Sequence, residues 1–571
     1  MSVSTADAGS TNARGAFGGL WDRQLDTYPE TGRRMLYLGV TVLATVMLYY
    51  ELYVLGSVST LILAKLHMSF SFLVVTLAIG NLVGAFGSLF AGLTDRVGRS
   101  RLVIIGLFIT ALLTLFAIPA ATSRWTFAIL YCVIGVVEGI CLVATPALIR
   151  DFSPQTGRAT AMGFWTSGPV LGSLIVSVVG SNTIHATTSW TYEFRICGVA
   201  GLVVAVIALF ALRELSPGLR DQLMVSMRDR ALVEARAKGL DIEASLRNPW
   251  GQLLKPDVII SALGVAVMLL VYYTAVAFGT IYFVTIFGKS LKDANGLGNW
   301  NWGFNVIAVI LVGFLSDKFR VRKPFMVIGG VLAAVMLVIY LLQAGHHPGY
   351  YTLAIMVALL SFGLGVAYTP WMASFTETVE ARNPALTATG LAIWGWIVRI
   401  VVFVSYIILP HVITTVTPLI DYGTGVQTAA AQYAPQVAAV SAHPALFAEL
   451  NAHPTAALEQ QAVAAVGASE FGKIVAASKA PGNAALYGTA DGKAVNGFNY
   501  VLTHGTAVEK AAKDSPGQWK DWYWICFGGI VVFLGCIPVL KGRWTPKAAK
   551  ADEDAHEALV QAELATLHTN A

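Results

Sequence analysis

Twelve apolar runs follow one another along the 571 residues, at 35–63, 70–93, 102–121, 125–149, 159–180, 194–212, 258–287, 297–315, 325–342, 350–375, 386–409 and 522–540. This succession leaves few folds open. A hydrocarbon core about 30 Å thick needs roughly 20 apolar residues per helix. In lipid the backbone must satisfy its own hydrogen bonds, so a spanning chain is either helical or a closed barrel. Barrel strands run to about ten residues and alternate in polarity; these runs are too long and too uniformly apolar. The chain therefore reads as an all-α integral membrane protein. Its composition agrees, with 56% hydrophobic and only 12% charged residues, where a soluble domain carries about 25% charged.

The runs divide the chain. Residues 1–34 are polar and lack the short apolar stretch and cleavage site of a signal peptide, so the first span is expected to stay in the mature protein. A six-helix bundle over 35–212 is followed by a segment at 213–256 rich in Arg, Glu and Ala, which reads as cytoplasmic linker helices. Helices 7–11 are expected over 257–411, an Ala-rich insertion over 412–520, helix 12 over 521–541 and a polar tail over 542–571. The insertion contains an echo, Ala442-His443-Pro444 and Ala452-His453-Pro454; a cap of short helices and a weakly packed segment both remain open for it.

Connections after even-numbered spans are basic: Arg96, Arg99 and Arg101 follow span 2, and Lys318, Arg320, Arg322 and Lys323 follow span 8. The opposite loops hold fewer positive charges, which under the positive-inside rule puts both termini in the cytoplasm of a multi-pass inner-membrane protein and the insertion outside. The net charge of +5 is small and implies no nucleic-acid partner. Cys132, Cys141, Cys197, Cys526 and Cys536 all lie in apolar runs and read as free core thiols. No nucleotide loop, metal-spaced His or Cys cluster or nucleophile with its base is present, so neither an enzyme, a metal nor a cofactor is expected.

Landmarks recur at one spacing: 223 residues from Tyr49 to Tyr272, 222 from Asp95 to Asp317, 224 from Pro146 to Pro370 and 227 from Gly163 to Gly390. Four matches in the same order mark a duplicated half. The stretch Gly92-Leu93-Thr94-Asp95-Arg96-Val97-Gly98-Arg99-Ser100-Arg101 resembles the signature loop between spans 2 and 3 of the major facilitator superfamily. Ala91 stands where that family generally has glycine, and the second copy, Gly313 to Lys318, lacks a match to Gly98. The resemblance implies the MFS fold, twelve transmembrane helices as two pseudo-symmetric six-helix bundles, and a transporter working by alternating access. An acid beside a cluster of guanidinium groups can latch two helices in one state and release them in another. Asp95, Arg96, Arg99, Asp317 and Lys318, extended by Arg150 and Arg158, are accordingly read as a cytoplasmic gate. The alternative is that these arginines only set topology and bind anionic lipid.

Ionisable residues inside a span are costly and normally face a wet cavity with a partner. At 1.5 Å per residue, Glu51 lies about 24 Å along span 1 and Arg399 roughly 20 Å along span 11, at similar depth, and Glu138 sits midway along span 4. Each occurs in one half only, opposite Thr274, Gly172 and Phe362 respectively, which suits a central site between unlike halves. Glu51 and Glu138 are read as proton-coupling carboxylates. Arg399 is read as the anchor for an anionic solute or as the counter-charge of Glu51, with a permanent structural ion pair as the alternative. Tyr49, Tyr50, Tyr53, Tyr272, Tyr273, Thr274 and Trp394 are expected to line the cavity.

An acid in span 1 with an arginine in span 11 is similar to the layout of carboxylate-proton symporters of the superfamily. The leading expectation is thus proton-coupled uptake of a small organic anion by a monomer, driven by the proton gradient. Gly163, Gly168-Pro169 and Gly172 resemble the glycine-proline signature of proton-coupled drug exporters, which makes export of a drug or metabolite the runner-up. A non-transporting sensor, with the insertion as ligand-binding part, is a third reading.

Overall fold

The structure, a computed structural model, describes residues 23–87, 97–153, 164–185, 187–216, 219, 253–382, 387–483 and 494–540, with scattered positions of the tail; the side chains of 380–389 are outside that description. Among the described residues, twelve helices are long and apolar enough to cross a membrane. In the first half they are span 1 (Thr31–Lys65), span 2 (Phe70–Gly87), span 3 (Arg99–Ala117), span 4 (Arg124–Phe152), span 5 (Phe164–Thr183) and span 6 (Trp190–Ala211). In the second they are span 7 (Pro256–Phe287), span 8 (Leu291–Phe319), span 9 (Lys323–Leu342), span 10 (Tyr350–Val379), span 11 (Gly390–Val412) and span 12 (Gly497–Val539).

Local chemistry sets where the spans begin and bend. The Ser123 and Ser189 hydroxyls accept backbone N–H groups at the starts of spans 4 and 6, and Ser290 does so for Asp293 at the start of span 8. Pro256 occupies the first turn of span 7, where its missing N–H costs nothing. Span 7 is broken at Leu269, and span 1 departs from helical geometry at Val58. Pro146 and Pro370 lie inside helices, in matching places of spans 4 and 10. Each removes one backbone hydrogen bond.

The two six-helix bundles meet along spans 1 and 7, 5 and 8, and 2 and 11. One end of the molecule carries the basic loops and the other the insertion. Towards the insertion face the bundles are bound together: Asn295 Nδ2 donates to Ser57 O at 3.0 Å, Asn299 Nδ2 to Ser181 Oγ at 2.9 Å, and the Thr280 hydroxyl to Gly56 O. A Cβ on Gly56 would lie 2.5 Å from the Val276 carbonyl oxygen, so only glycine lets spans 1 and 7 approach this closely. The seam is closed at the insertion face.

Three features go beyond the sequence reading. First, the N-terminal segment is structured where it is described, from Arg23 onward. Helix begins at Thr31, and a two-residue strand β1 (Gln24–Leu25) pairs in parallel with β2 (Glu214–Leu215) just past span 6. Buried Arg23 donates to the carbonyls of Leu212, at 2.8 Å, and Leu209, satisfying the frayed end of that helix. Second, span 12 does not start at 521. A continuous 40-residue helix, Gly497–Cys536, carries it from within the insertion, because hydropathy marks entry into lipid whereas polar helix formers such as Glu509 and Lys510 extend the helix beyond it.

Third, of the two alternatives left open for the insertion, its described residues form the cap of short helices. Six short helices, from Val416–Asp421 to Ala468–Ser478, enclose two small cores, one around Val440, Phe447, Ile474 and Phe498, the other around Val426, Ala429, Tyr500 and Val501. The sequence echo is punctuation: His443 and His453 close one helix each, Pro444 opens the next, and Thr455 caps the one after. Most of the linker at 213–256 and of the tail at 542–571 lies outside the described residues.

Candidate functional site

Span 1 presents two different faces. Tyr49 and Tyr53, one helical turn apart, stack towards the seam with ring centroids 5.5 Å apart. Tyr49 lies within electrostatic reach of Tyr273 on span 7, Arg399 on span 11 and Glu138 on span 4. Tyr368 on span 10 faces the same two tyrosines, Tyr49 and Tyr273. The Tyr406 hydroxyl of span 11 donates to Tyr273 O at 3.4 Å, and Tyr272 is packed edge-on to Tyr273 and Trp302. Trp394 lies 5.9 Å from Trp371, whose indole N–H donates to Ser261 at 3.0 Å. The Trp394 N–H itself is buried with no hydrogen-bond partner among the described residues.

Arg399 stands among these rings, half-buried. Its guanidinium donates to Gly84 O at 3.3 Å, while its own carbonyl accepts from Asn81 Nδ2 at 3.3 Å, so the residue bridges spans 11 and 2. Among the described residues no carboxylate lies within ion-pair distance of it. A carbonyl dipole leaves most of a guanidinium's five donors unengaged. From Tyr53 a cavity between spans 1, 5, 7 and 8 continues past Ser57, Ser177, Asn301 and Trp302.

Tyr50 and Glu51 turn the other way. Two residues along a helix is about 200° of rotation, which sends Glu51 away from Tyr49 and into the first bundle. Its carboxylate lies against Gly201 of span 6 and Ala111 of span 3; a side chain at Gly201 would collide with it. Glu51 is 1% exposed and Glu138 2% exposed; the two carboxylates are within electrostatic reach of each other, the Thr110 hydroxyl lies beside Glu51, and among the described residues neither oxygen of Glu138 has a hydrogen-bond partner and no cation pairs with either carboxylate. Glu51 is therefore not paired with Arg399, and neither the counter-charge role nor the permanent ion pair is realised here. Tyr50 is also buried in the bundle, its hydroxyl without a hydrogen-bond partner among the described residues.

Thr274, the repeat partner of Glu51, is likewise absent from the seam. It is buried against span 12, accepting from Trp522 Nε1 at 3.0 Å and donating to Leu270 O at 2.8 Å. Of the expected cavity residues, the structure thus brings together Tyr49, Tyr53, Tyr272, Tyr273, Trp394 and Arg399. It separates Tyr50, Glu51 and Thr274 from them. The expected list omitted Tyr368 and Tyr406; a hydroxyl on span 10 near the depth of Arg399, and another two turns beyond Arg399 on span 11, were the available signal. Gly172 lets the backbone of span 5 pass span 1 at Tyr49, where a Cβ would lie 2.7 Å from that of the tyrosine. Ordinary close packing accounts for it.

At the basic end, Asp95, Arg96 and Arg158 lie outside the described residues. Arg99 pairs with Asp151 at 2.7 Å, linking spans 3 and 4. Glu214, fully buried, accepts the backbone N–H groups of Arg99, at 2.6 Å, and Ser100, at 3.3 Å, at the start of span 3. In the second half Asp317 pairs with Arg322 at 2.6 Å, not with Lys318, and Arg322 also holds Glu377 of span 10 at 3.0 Å. Lys318 points to the surface in the last turn of span 8, its i,i+1 position facing away from Asp317. Arg150 occupies the last turn of span 4. Every one of these pairs joins helices of the same half. Asp151, Glu214 and Arg322 are the network members that the repeat comparison did not single out.

The chain is similar to known transporters. Multidrug resistance protein MdtL of Shewanella oneidensis is 24% identical over 331 residues, covering 57% of this chain and 76% of the relative. The D-galactonate transporter of Escherichia coli O6:H1 is 23% identical over 369 residues, covering 60% and 81%. Among solved structures, an inward-facing, unoccupied bacterial homologue of the human lysosomal transporter Spinster superposes with a TM-score of 0.55 at 16% identity, covering 91% of this chain and all of that one. The xylose transporter XylE of E. coli, partially occluded and inward open, gives 0.51 at 16% identity over 66% of this chain and 92% of its own. The Major Facilitator Superfamily model matches residues 41–440, most of the duplicated helical scaffold, and the chain belongs to that family.

Proposed function

We propose that this transporter moves a small organic anion in symport with protons, and that Arg399 holds the anion's carboxylate. The observation that carries this reading is the position of Arg399: at the seam, ringed by tyrosines, with no described carboxylate beside it. Ionised partners make the stronger hydrogen bonds, and arginine's fork matches a carboxylate in two parallel bonds. The likeness to a D-galactonate transporter supports an anionic solute. Proton coupling falls to Glu51 and Glu138, two neighbouring buried carboxyls inside the first bundle that no cation pairs with among the described residues. The basic face is cytoplasmic in this reading, with both termini on that side of an inner membrane, and the protein works as a monomer without a cofactor.

Uptake into proteoliposomes tests the reading, with D-galactonate, lactate and benzoate as probes. Arg399→Gln should raise the half-saturating concentration of a transported anion about 10- to 100-fold, the range for a hydrogen bond to a charged group, and Arg399→Lys should raise it less. Unchanged affinity in both variants overturns the anchor role. Proton-driven export is the second reading, favoured by the likeness to MdtL; protons moving against the solute rather than with it would establish it. Failure of counterflow with every probe would favour the sensor.

A further inference from the structure

Alternating access requires the closed end of the seam to part once in every cycle. At the insertion face more than the spans holds it shut. Leaving span 11, the chain buries Ile413 and Val416 completely, and the helix Val416–Asp421 packs against span 1 of one bundle and spans 7 and 12 of the other. Directly below, Phe70 at the start of span 2 meets Phe278 of span 7 edge-on at 5.5 Å, across the seam.

The fastenings at its two sides differ. On the second bundle, Gln518 accepts from Thr414 N at 2.8 Å, Thr415 N at 3.2 Å and Thr415 Oγ1 at 3.0 Å, and donates to Thr414 Oγ1 at 3.0 Å. On the first bundle one hydrogen bond, from Phe70 N to Thr417 Oγ1 at 3.0 Å, holds the strap among the described residues, with His67 within electrostatic reach of Asp421. That N–H belongs to the first turn of a helix, where no intrahelical acceptor exists and water can take over once the face opens.

We infer that residues 413–421 form a strap across the insertion-face end of the seam, carried by the second bundle through Gln518 and unfastened from the first at Thr417 each time that face opens. Thr417 and Gln518 are positioning residues in this scheme. They touch no solute, and they set how readily the closed end parts. A one-bond fastening opposite a four-bond one fixes where the strap lets go, and the single bond suits a contact that is remade at every turnover. The inference needs only alternating access and holds whichever solute or direction applies.

The test uses the full chain in proteoliposomes with Cys132 and Cys536 replaced by serine and Ser57→Cys as reporter, since Ser57 is buried at the closed end. A membrane-impermeant maleimide is added on the side bearing the insertion. Thr417→Val should speed labelling about two- to ten-fold, as the loss of one net hydrogen bond implies; Thr417→Ser should restore the original rate and Gln518→Leu should also speed it. Labelling at the original rate in folded Thr417→Val and Gln518→Leu overturns the strap. Should Thr417→Val fail to fold, hydrogen exchange at the Phe70 amide of the unaltered chain decides. Protection like that of Leu73, one turn inside the helix, supports the strap, and exchange at the free-peptide rate overturns it.

Discussion

Glu51 and Thr274 stand at equivalent places in the two halves, and both turn from the seam into their own bundle, towards its sixth helix. Glu51 lies against Gly201 of span 6, and Thr274 accepts a hydrogen bond from Trp522 of span 12. The duplicated scaffold thus keeps a polar residue pointing inward at this position of each half. In one half it is a hydroxyl that accepts an indole N–H, in the other a carboxyl beside the Thr110 hydroxyl with no cation paired to it among the described residues.

Removing the satisfied member is a stability experiment. Thr274→Val leaves the buried Trp522 N–H without an acceptor and should cost about 1–3 kcal/mol, seen as earlier thermal unfolding in detergent. Solute affinity should be unchanged, because the Thr274 side chain faces span 12 and not the aromatic cluster; a lowered affinity with full stability would return it to the site.

Changing the other member is a coupling experiment. Glu51→Gln keeps the shape and removes the titrating group, so counterflow should persist while accumulation fails. Under a gradient of one pH unit, one coupled proton supports about ten-fold accumulation. The variant should level off near one-fold, and accumulation at the original level would exclude Glu51 as the coupling group.

The charged pairs at the basic end predict a modest effect. Asp317 is 72% exposed in its bridge to Arg322 and Glu377 is 50% exposed, and exposed bridges contribute about 0–1 kcal/mol. Asp317→Asn should therefore lower stability by less than about 1 kcal/mol, and high salt should erase the difference. A larger loss that survives salt would show a buried role for this pair.

A pH effect is expected in the strap helix. Burial pushes the Asp421 carboxyl up to about 6 from 3.8, with the neighbouring His67 opposing the shift. A raised carboxyl pKa favours the folded form while the group is protonated, so that stabilisation is full below about 4 and is lost as pH rises through about 6. Hydrogen exchange over residues 416–421, corrected for intrinsic rates, should be slower at pH 5 than at pH 7.5. Asp421→Asn should remove the difference; a dependence that persists in the variant would place the titration elsewhere.

The twelve spans were legible because lipid demands long apolar helices, and the repeat was legible because Asp95 and Asp317, or Pro146 and Pro370, recur in register. Depth was legible too, from the rise per residue. Facing was harder. Tyr49, Tyr50, Glu51 and Tyr53 share a depth, and only the 100° step between residues separates the seam pair Tyr49 and Tyr53 from the bundle pair Tyr50 and Glu51. Partners distant in sequence were not legible at all: nothing near Glu214 announces that it closes the start of span 3, and nothing near Trp522 points to Thr274.

The helix Gly497–Cys536 spans about 60 Å at 1.5 Å per residue, from the small core at Phe498 to the membrane interior. Pro516, inside it, removes one rung of backbone bonding two residues before Gln518. The insertion and the second bundle are therefore two arms of a single lever whose weakest point sits beside the strap. Movement of the insertion relative to the membrane span has to bend this one helix, most easily at Pro516.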